Sequence, residues 1–228
     1  MIRVHHLEQS RSQRVIWLLE ELKLDYDVVL YKRDPVTMAA PESLTKVHPL
    51  GKSPVITDGA LTVAESGAII EYLIDRYDKD RCLKPLDGQA LLNYRYWLHF
   101  AEGSLMPLLV MKLVLTKMAT SPMPFFVKPI AKSISQKIQS AFIEPRLTPQ
   151  LQFIEQTLTK HTWFTGESLT GADIQMSFPL MAVSTRLDIS QYPNIFRFLK
   201  QVEATTGYKN AMKKQDMLLG YKGAEITL

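Results

Sequence analysis

The chain has 228 residues, 46% hydrophobic and 22% charged, enough apolar material for one large domain or two modest ones and too much for wholesale disorder. Lys and Arg number 27 against 23 Asp and Glu, a formal charge of +4 spread without a basic run, so no nucleic-acid partner is expected. The single cysteine, Cys82, excludes an intramolecular disulfide, a CxxC redox pair and a cysteine-built zinc site, and it fits a reducing compartment.

Ile2-Arg3-Val4-His5-His6-Leu7 is β-branched enough for a first strand. Ser10 and Ser12 are candidate caps for a helix whose Val15, Ile16, Leu18, Leu19 and Leu22 fall on one face. DYDVVLY, residues 25–31, reads as a second strand, so the start is a β-α-β unit with parallel pairing. Residues 35–49, bounded by Pro35 and Pro49, predict a loop with a short helix. PVIT, then Asp58-Gly59, then ALTV predict a tight hairpin. Ala64-Glu65-Ser66-Gly67 opens a helix with Ile69, Leu73 and Tyr77 at i, i+4 and i+8.

After Lys84-Pro85-Leu86-Asp87-Gly88, a linker by composition, the period is helical throughout. One long apolar helix is expected from 89 to about 117, with Leu92, Tyr96, Phe100 and Leu105 in its stripe. Pro122, Pro124 and Pro129 end it, and a second long helix follows from about 130 to 160, disturbed by Pro145 and Pro149. These two helices carry more apolar residues than one helix-on-helix contact buries, which points to a second copy of the chain. Thr170-Gly171-Ala172-Asp173 reads as a capping box, and Tyr192-Pro193-Asn194 starts a last amphipathic helix. The N-terminus lacks the apolar core of a signal peptide. The most apolar run, 105–115, contains Pro107 and Lys112 and is too short to cross a bilayer. A cytoplasmic protein with no transmembrane segment is expected.

Three segments carry chemistry. Gln9-Ser10-Arg11-Ser12-Gln13-Arg14 places hydroxyls at the amino end of a helix, where backbone N–H groups and the helix dipole stabilise an anion such as a thiolate. The plain alternative is that both serines only cap the helix. Lys52-Ser53-Pro54-Val55 places a proline at the opening of a strand, suited to a cis peptide that turns the polar backbone of Val55 outward to an extended ligand. An ordinary turn-to-strand proline fits equally. Glu65-Ser66 at a helix start offers N–H groups and a hydroxyl to a carboxylate and an acidic side chain to an ammonium, or else simple compensation of the helix dipole.

In combination, SRSQRVIWLLEELKLDYDVV, HPLGKSPVI and LTVAESGAIIEYL resemble the glutathione transferase family. The resemblance extends over nearly the whole chain, through SLTGADI and YPNIFRFLKQVEATTGYKNAM. It implies an α/β plus all-α protein: a thioredoxin-like domain (βαβ-ββα) over 1–82, a linker over 83–88 and an all-helical domain over 89–228. It implies glutathione as cosubstrate, no metal and a homodimer. Ser10, or its near competitor Ser12, takes the place of the hydroxyl that hydrogen-bonds the glutathione sulfur in serine-type members. Lys52, with His48 assisting, meets the glycine carboxylate. A cis Pro54 presents Val55 to the cysteinyl backbone, and Glu65 and Ser66 hold the γ-glutamyl ammonium and carboxylate. The implied reaction is attack of the glutathione thiolate on a hydrophobic electrophile or a peroxide, with Leu7, Met106 and Val110 as candidate lining. A non-catalytic glutathione-binding protein of the same fold is the alternative. No tyrosine or cysteine stands at the first strand–helix junction, which disfavours the tyrosine-type and cysteine-type classes.

Overall fold

Ile2, Val4 and His6, all buried, alternate along one face of the first strand. In the computed structural model, which describes residues 1–8 and 10–219, that strand lies inside a four-stranded mixed sheet of order β2-β1-β3-β4. β1 (Ile2–Leu7) pairs parallel with β2 (Tyr26–Tyr31), and α1 (Ser12–Glu21) is the crossover that a parallel pair requires. α2 (Glu42–Thr45) is one short turn within the irregular stretch that follows. β3 (Val55–Asp58) runs antiparallel to both β1 and β4 (Leu61–Ala64). The expected hairpin is present, but its turn is one residue later than expected: Asp58 belongs to β3, and Gly59, at φ +59°, takes the first position of the two-residue loop Gly59-Ala60. The Asp58 carboxylate at this turn accepts from the hydroxyls of Tyr72 (2.8 Å) and Tyr77, fastening the hairpin to α3 (Ser66–Tyr77).

Beyond α3 the chain is irregular until Gly88 opens α4 (Gly88–Phe100). A π turn over Ala101–Leu105 carries α4 directly into α5 (Met106–Thr120). The run 105–115 is short by itself, but the continuous helix that contains it spans 33 residues, Gly88–Thr120, long and apolar enough to cross a membrane by length and composition. Its inner face does core work: Tyr94, Trp97, Leu105 and Leu109 are buried, and α4 packs on α8 while α5 packs on α6. α6 (Lys128–Ile138) and α7 (Glu144–Lys160) form the second long helix, joined by another π turn, Gln139–Ile143. Pro145 follows the π turn directly, at the start of α7, and Pro149 lies one turn further in.

α8 (Gly171–Ser184) is buried nearly all round, the state expected of a helix apolar on every face. The expected capping box is present at its start. Asp173 accepts from the Thr170 backbone N–H (2.8 Å), the Thr170 hydroxyl (2.8 Å) and the Phe164 N–H (2.7 Å). α9 (Pro193–Ala204) matches the expected amphipathic helix but is not the last one. α10 (Thr206–Leu219) follows and folds back onto α1, with Tyr208 edge-on to Trp17 at 5.5 Å. Gly207 permits that approach, because a Cβ there would stand 2.5 Å from the Glu21 carboxylate. Gln9 and the final residues of the expected 89–228 domain lie outside the described residues.

Candidate functional site

Segments far apart in sequence meet at the amino end of α1. Ser10 Oγ lies 2.7 Å from Ser12 Oγ and 3.2 Å from Ser53 Oγ, which joins the first strand–helix junction to the segment before Pro54. The Ser53–Pro54 peptide is cis, the one of the two readings left open by the sequence that the family resemblance implies. Ser53 Oγ donates to the His5 carbonyl (3.0 Å) and accepts from the Leu7 N–H (3.3 Å), tying this segment to β1.

Neither serine caps α1 in the expected way. Arg11 is the N-cap and makes no side-chain cap bond, and Ser12 is the first helical residue. The serine hydroxyls are drawn into a polar chain instead: Ser12 Oγ lies 2.7 Å from His6 Nδ1, and Ser10 Oγ accepts only a long bond (3.4 Å) from the Ser12 N–H. Ser12 has no exposed surface, whereas Ser10 is 9% exposed, so of the two serines Ser10 is the one within reach of a ligand.

The amino end of α3 joins the same region through Arg14. This fully buried side chain donates from Nη2 to Ser66 Oγ (2.9 Å) and Glu102 Oε1 (2.6 Å), and from Nη1 to the Gln175 carbonyl (2.7 Å). Burial lowers the Arg14 pKa to about 10, and the Glu102 carboxylate works against that shift. Arg11 meets the other Glu102 oxygen at 3.2 Å, and both guanidinium groups lie over the Phe178 ring. Glu65, the N-cap of α3, adopts φ +73°, a left-handed conformation rare for a residue with a Cβ and concentrated at functional positions. Its side chain is exposed, while Ser66 is buried beside Arg14. Two helix amino ends, α1 and α3, are thus bound together by one buried cation.

The remaining residues proposed from the sequence are less closely grouped. Lys52 is exposed, and His48 Nδ1 accepts from the Leu50 N–H at 3.4 Å within its own loop. Pro54 and Val55 are buried. Of the candidate lining, Leu7 and Met106 are 3% and 6% exposed and Val110 is 42% exposed, so Val110 alone offers an open surface. Glu102, Gln175 and His6 were not anticipated: Glu102 occupies the π turn, a geometry often found at functional sites, and nothing local in sequence marks it. Among the described residues no group of three or more His, Cys, Asp or Glu is placed to hold a metal. An open pocket of about 600 Å³ lies at the far end of α1, lined by Glu20, Tyr26 and Lys214 among others, away from the serines.

Residues 1–75 match the family model described as glutathione S-transferase, N-terminal domain, and residues 105–205 match the C-terminal domain model. Glutathione S-transferase 1 of Saccharomyces cerevisiae is 35% identical over 94% of this chain and 95% of its own length. Glutathione S-transferase 3 of Schizosaccharomyces pombe is 36% identical over 94% and 88%. A crystal structure of a glutathione S-transferase from Actinobacillus pleuropneumoniae superposes with a TM-score of 0.77 at 36% identity, covering 95% of this chain and 93% of that one. A Phanerochaete chrysosporium protein cocrystallised with 1-(S-glutathionyl)-2,4-dinitrobenzene shares the fold, with a TM-score of 0.73 at 19% identity over 98% of each chain.

Proposed function

This chain belongs to the glutathione S-transferase family, and from that premise we propose that it conjugates glutathione to hydrophobic electrophiles, with Ser10 holding the reacting sulfur as thiolate. The observation that carries this reading is the meeting of Ser10 with Ser53 at 3.2 Å and of Arg14 with Ser66 at 2.9 Å, which brings the three chemistry-bearing segments to one place. The protein supplies no nucleophile of its own; the cosubstrate does. Its task is to favour the charged form of the thiol. A hydroxyl donating to the sulfur, at the positive end of α1, lowers the thiol pKa by about one to two units, worth roughly 1.4–2.7 kcal/mol.

In this reading the tripeptide lies with its cysteinyl backbone along Val55 and its γ-glutamyl end at the start of α3. There Glu65 takes the ammonium, and the Ser66 hydroxyl, which accepts from Arg14, donates its own proton to the carboxylate. Lys52 and His48 serve the glycine carboxylate. Val110, the exposed one of the three candidate lining residues, borders the electrophile, and peroxide reduction is a side reaction of the same thiolate. The Phanerochaete chrysosporium protein of the same fold was cocrystallised with a glutathione–dinitrobenzene conjugate, which suggests a dinitrobenzene as the test electrophile.

The division at 1–82, 83–88 and 89–228, cytoplasmic residence and a homodimer belong to the same proposal. Support for the dimer is that Leu92, Tyr96 and Val114 on one long helix, and Ile134, Phe142 and Phe153 on the other, remain exposed in a single chain. The test of the activity is conjugation of chloro-dinitrobenzene by the wild type and by Ser10→Ala. Turnover that falls about ten- to a hundred-fold in the variant is expected, the effect of one charge-assisted hydrogen bond. Retention on glutathione–agarose with no turnover on several electrophiles would overturn the catalytic reading.

A further inference from the structure

We propose that His6 is a positioning residue: as the neutral Nδ1–H tautomer it sets the direction of a hydrogen-bond chain that leaves the Ser10 hydroxyl proton free to point at the ligand. The proposal rests on the reading of Ser10 given above and goes beyond it. The direction follows from the far end of the chain. A serine hydroxyl has one proton, and Ser53 spends its proton on the His5 carbonyl, 3.0 Å away. In the 3.2 Å contact between Ser53 and Ser10, the donor must therefore be Ser10. With the Ser10 proton so committed, Ser12 is the donor in the 2.7 Å Ser12–Ser10 contact. With the Ser12 proton committed in turn, the donor in the 2.7 Å contact between His6 and Ser12 is His6 Nδ1–H.

Two independent features of the site agree. Among the described residues His6 Nε2 is buried with no partner, and a proton there would have no acceptor, which favours the tautomer protonated on Nδ1. Burial also lowers the His6 pKa to about 4, so the ring stays neutral at physiological pH and keeps a single donor. The strand places the ring for this role. His6 lies on the same face of β1 as Ile2 and Val4, with no exposed surface, beside the first turn of α1. When a sulfur arrives, the Ser10 O–H rotates from Ser53 to it and no other bond in the chain has to reverse. The opposite tautomer would make Ser12 the donor to His6 and Ser10 the donor to Ser12, leaving Ser10 no proton for the sulfur.

Long-range ¹H–¹⁵N spectra of the ligand-free protein test the direction itself: a protonated Nδ1 and a bare Nε2 are expected, and the reverse pattern overturns the proposal. Titration of the bound glutathione thiol by its ultraviolet absorbance in His6→Asn, His6→Leu and Ser10→Ala tests its consequence. Asparagine keeps a donor near the Nδ1 position and should leave the thiol pKa and kcat near wild type. Leucine should raise the pKa toward the Ser10→Ala value and lower kcat about tenfold, with KM for glutathione changed less than about twofold. Equal behaviour of the asparagine and leucine variants overturns the role of His6 while leaving Ser10 in place. A thiol unaffected by Ser10→Ala overturns the reading of Ser10 instead, and the tautomer measurement still decides the chain.

Discussion

Glu102→Ala should cost far more than the loss of a surface ion pair. Its partner Arg14 is 1% exposed, with Nη2 2.6 Å from the carboxylate, and among the described residues the guanidinium's other acceptors are Ser66 Oγ and the Gln175 carbonyl. Removing the carboxylate leaves a buried cation with its charge uncompensated and Arg11 nearby to repel it. Breaking such a pair costs about 3–5 kcal/mol when both partners are buried. The Glu102 side chain is 30% exposed, so water recovers part of the loss. An expected cost of about 2–4 kcal/mol follows, or roughly 5–15 °C in Tm for a chain of this size. Scanning calorimetry at neutral pH measures it. The double variant Arg14→Met/Glu102→Ala, which removes the stranded cation as well, should be less destabilised than the sum of the two single variants. A Tm for Glu102→Ala within about 2 °C of wild type, or strictly additive losses, would refute the view that Arg14 depends on this carboxylate.

Glu65→Ala should raise KM for glutathione strongly, and unchanged affinity by calorimetry would leave Glu65 as a dipole-compensating residue. Asp173 predicts a pH dependence of stability. Burial raises its pKa to about 6, so the folded state holds a proton that the unfolded chain releases near the ordinary carboxylate value of 3.8. Its contribution is therefore greatest in acid, falls as pH rises from about 4 to about 6 and is flat above. Denaturant titrations of Asp173→Asn should lack that slope, and an identical slope in the variant would assign it to other groups. Light scattering at a few micromolar should give about twice 26.0 kDa, and a mass near 26.0 kDa would show that the exposed faces of the two long helices do not pair.

The β-α-β-β-β-α order was legible because each element has a local cause. The β-branched content of IRVHHL, the hairpin glycine Gly59 and the Thr170–Asp173 capping box are all short-range signals that the fold retains. α10 was less legible because its place is set by distant partners: Trp17 and Gln13 supply Tyr208 with an edge contact and a 3.1 Å hydrogen bond. The π turns escape a 3.6-residue reading by construction, and with the first of them went Glu102. For the candidate site, the serines, the cis proline and Glu65-Ser66 could be marked as segments, since helix starts and X-Pro bonds are local. What ties them together could not be read this way, because Arg14 to Ser66 and Glu102 and His6 to Ser12 are contacts of the folded chain. The caps expected of Ser10 and Ser12 failed for that reason: the hydroxyls found His6 and Ser53 in place of the first turn of their own helix.

The Ser10 hydroxyl acts on the ionisation of glutathione when it is bound. Difference ultraviolet titration of the thiolate, with the wild type and Ser10→Ala saturated in parallel, measures it. A wild-type thiol about one to two units below an ordinary cysteine thiol near 8.5, returned most of the way by Ser10→Ala, is the predicted result. A bound thiol that titrates like the free tripeptide in both proteins would contradict it.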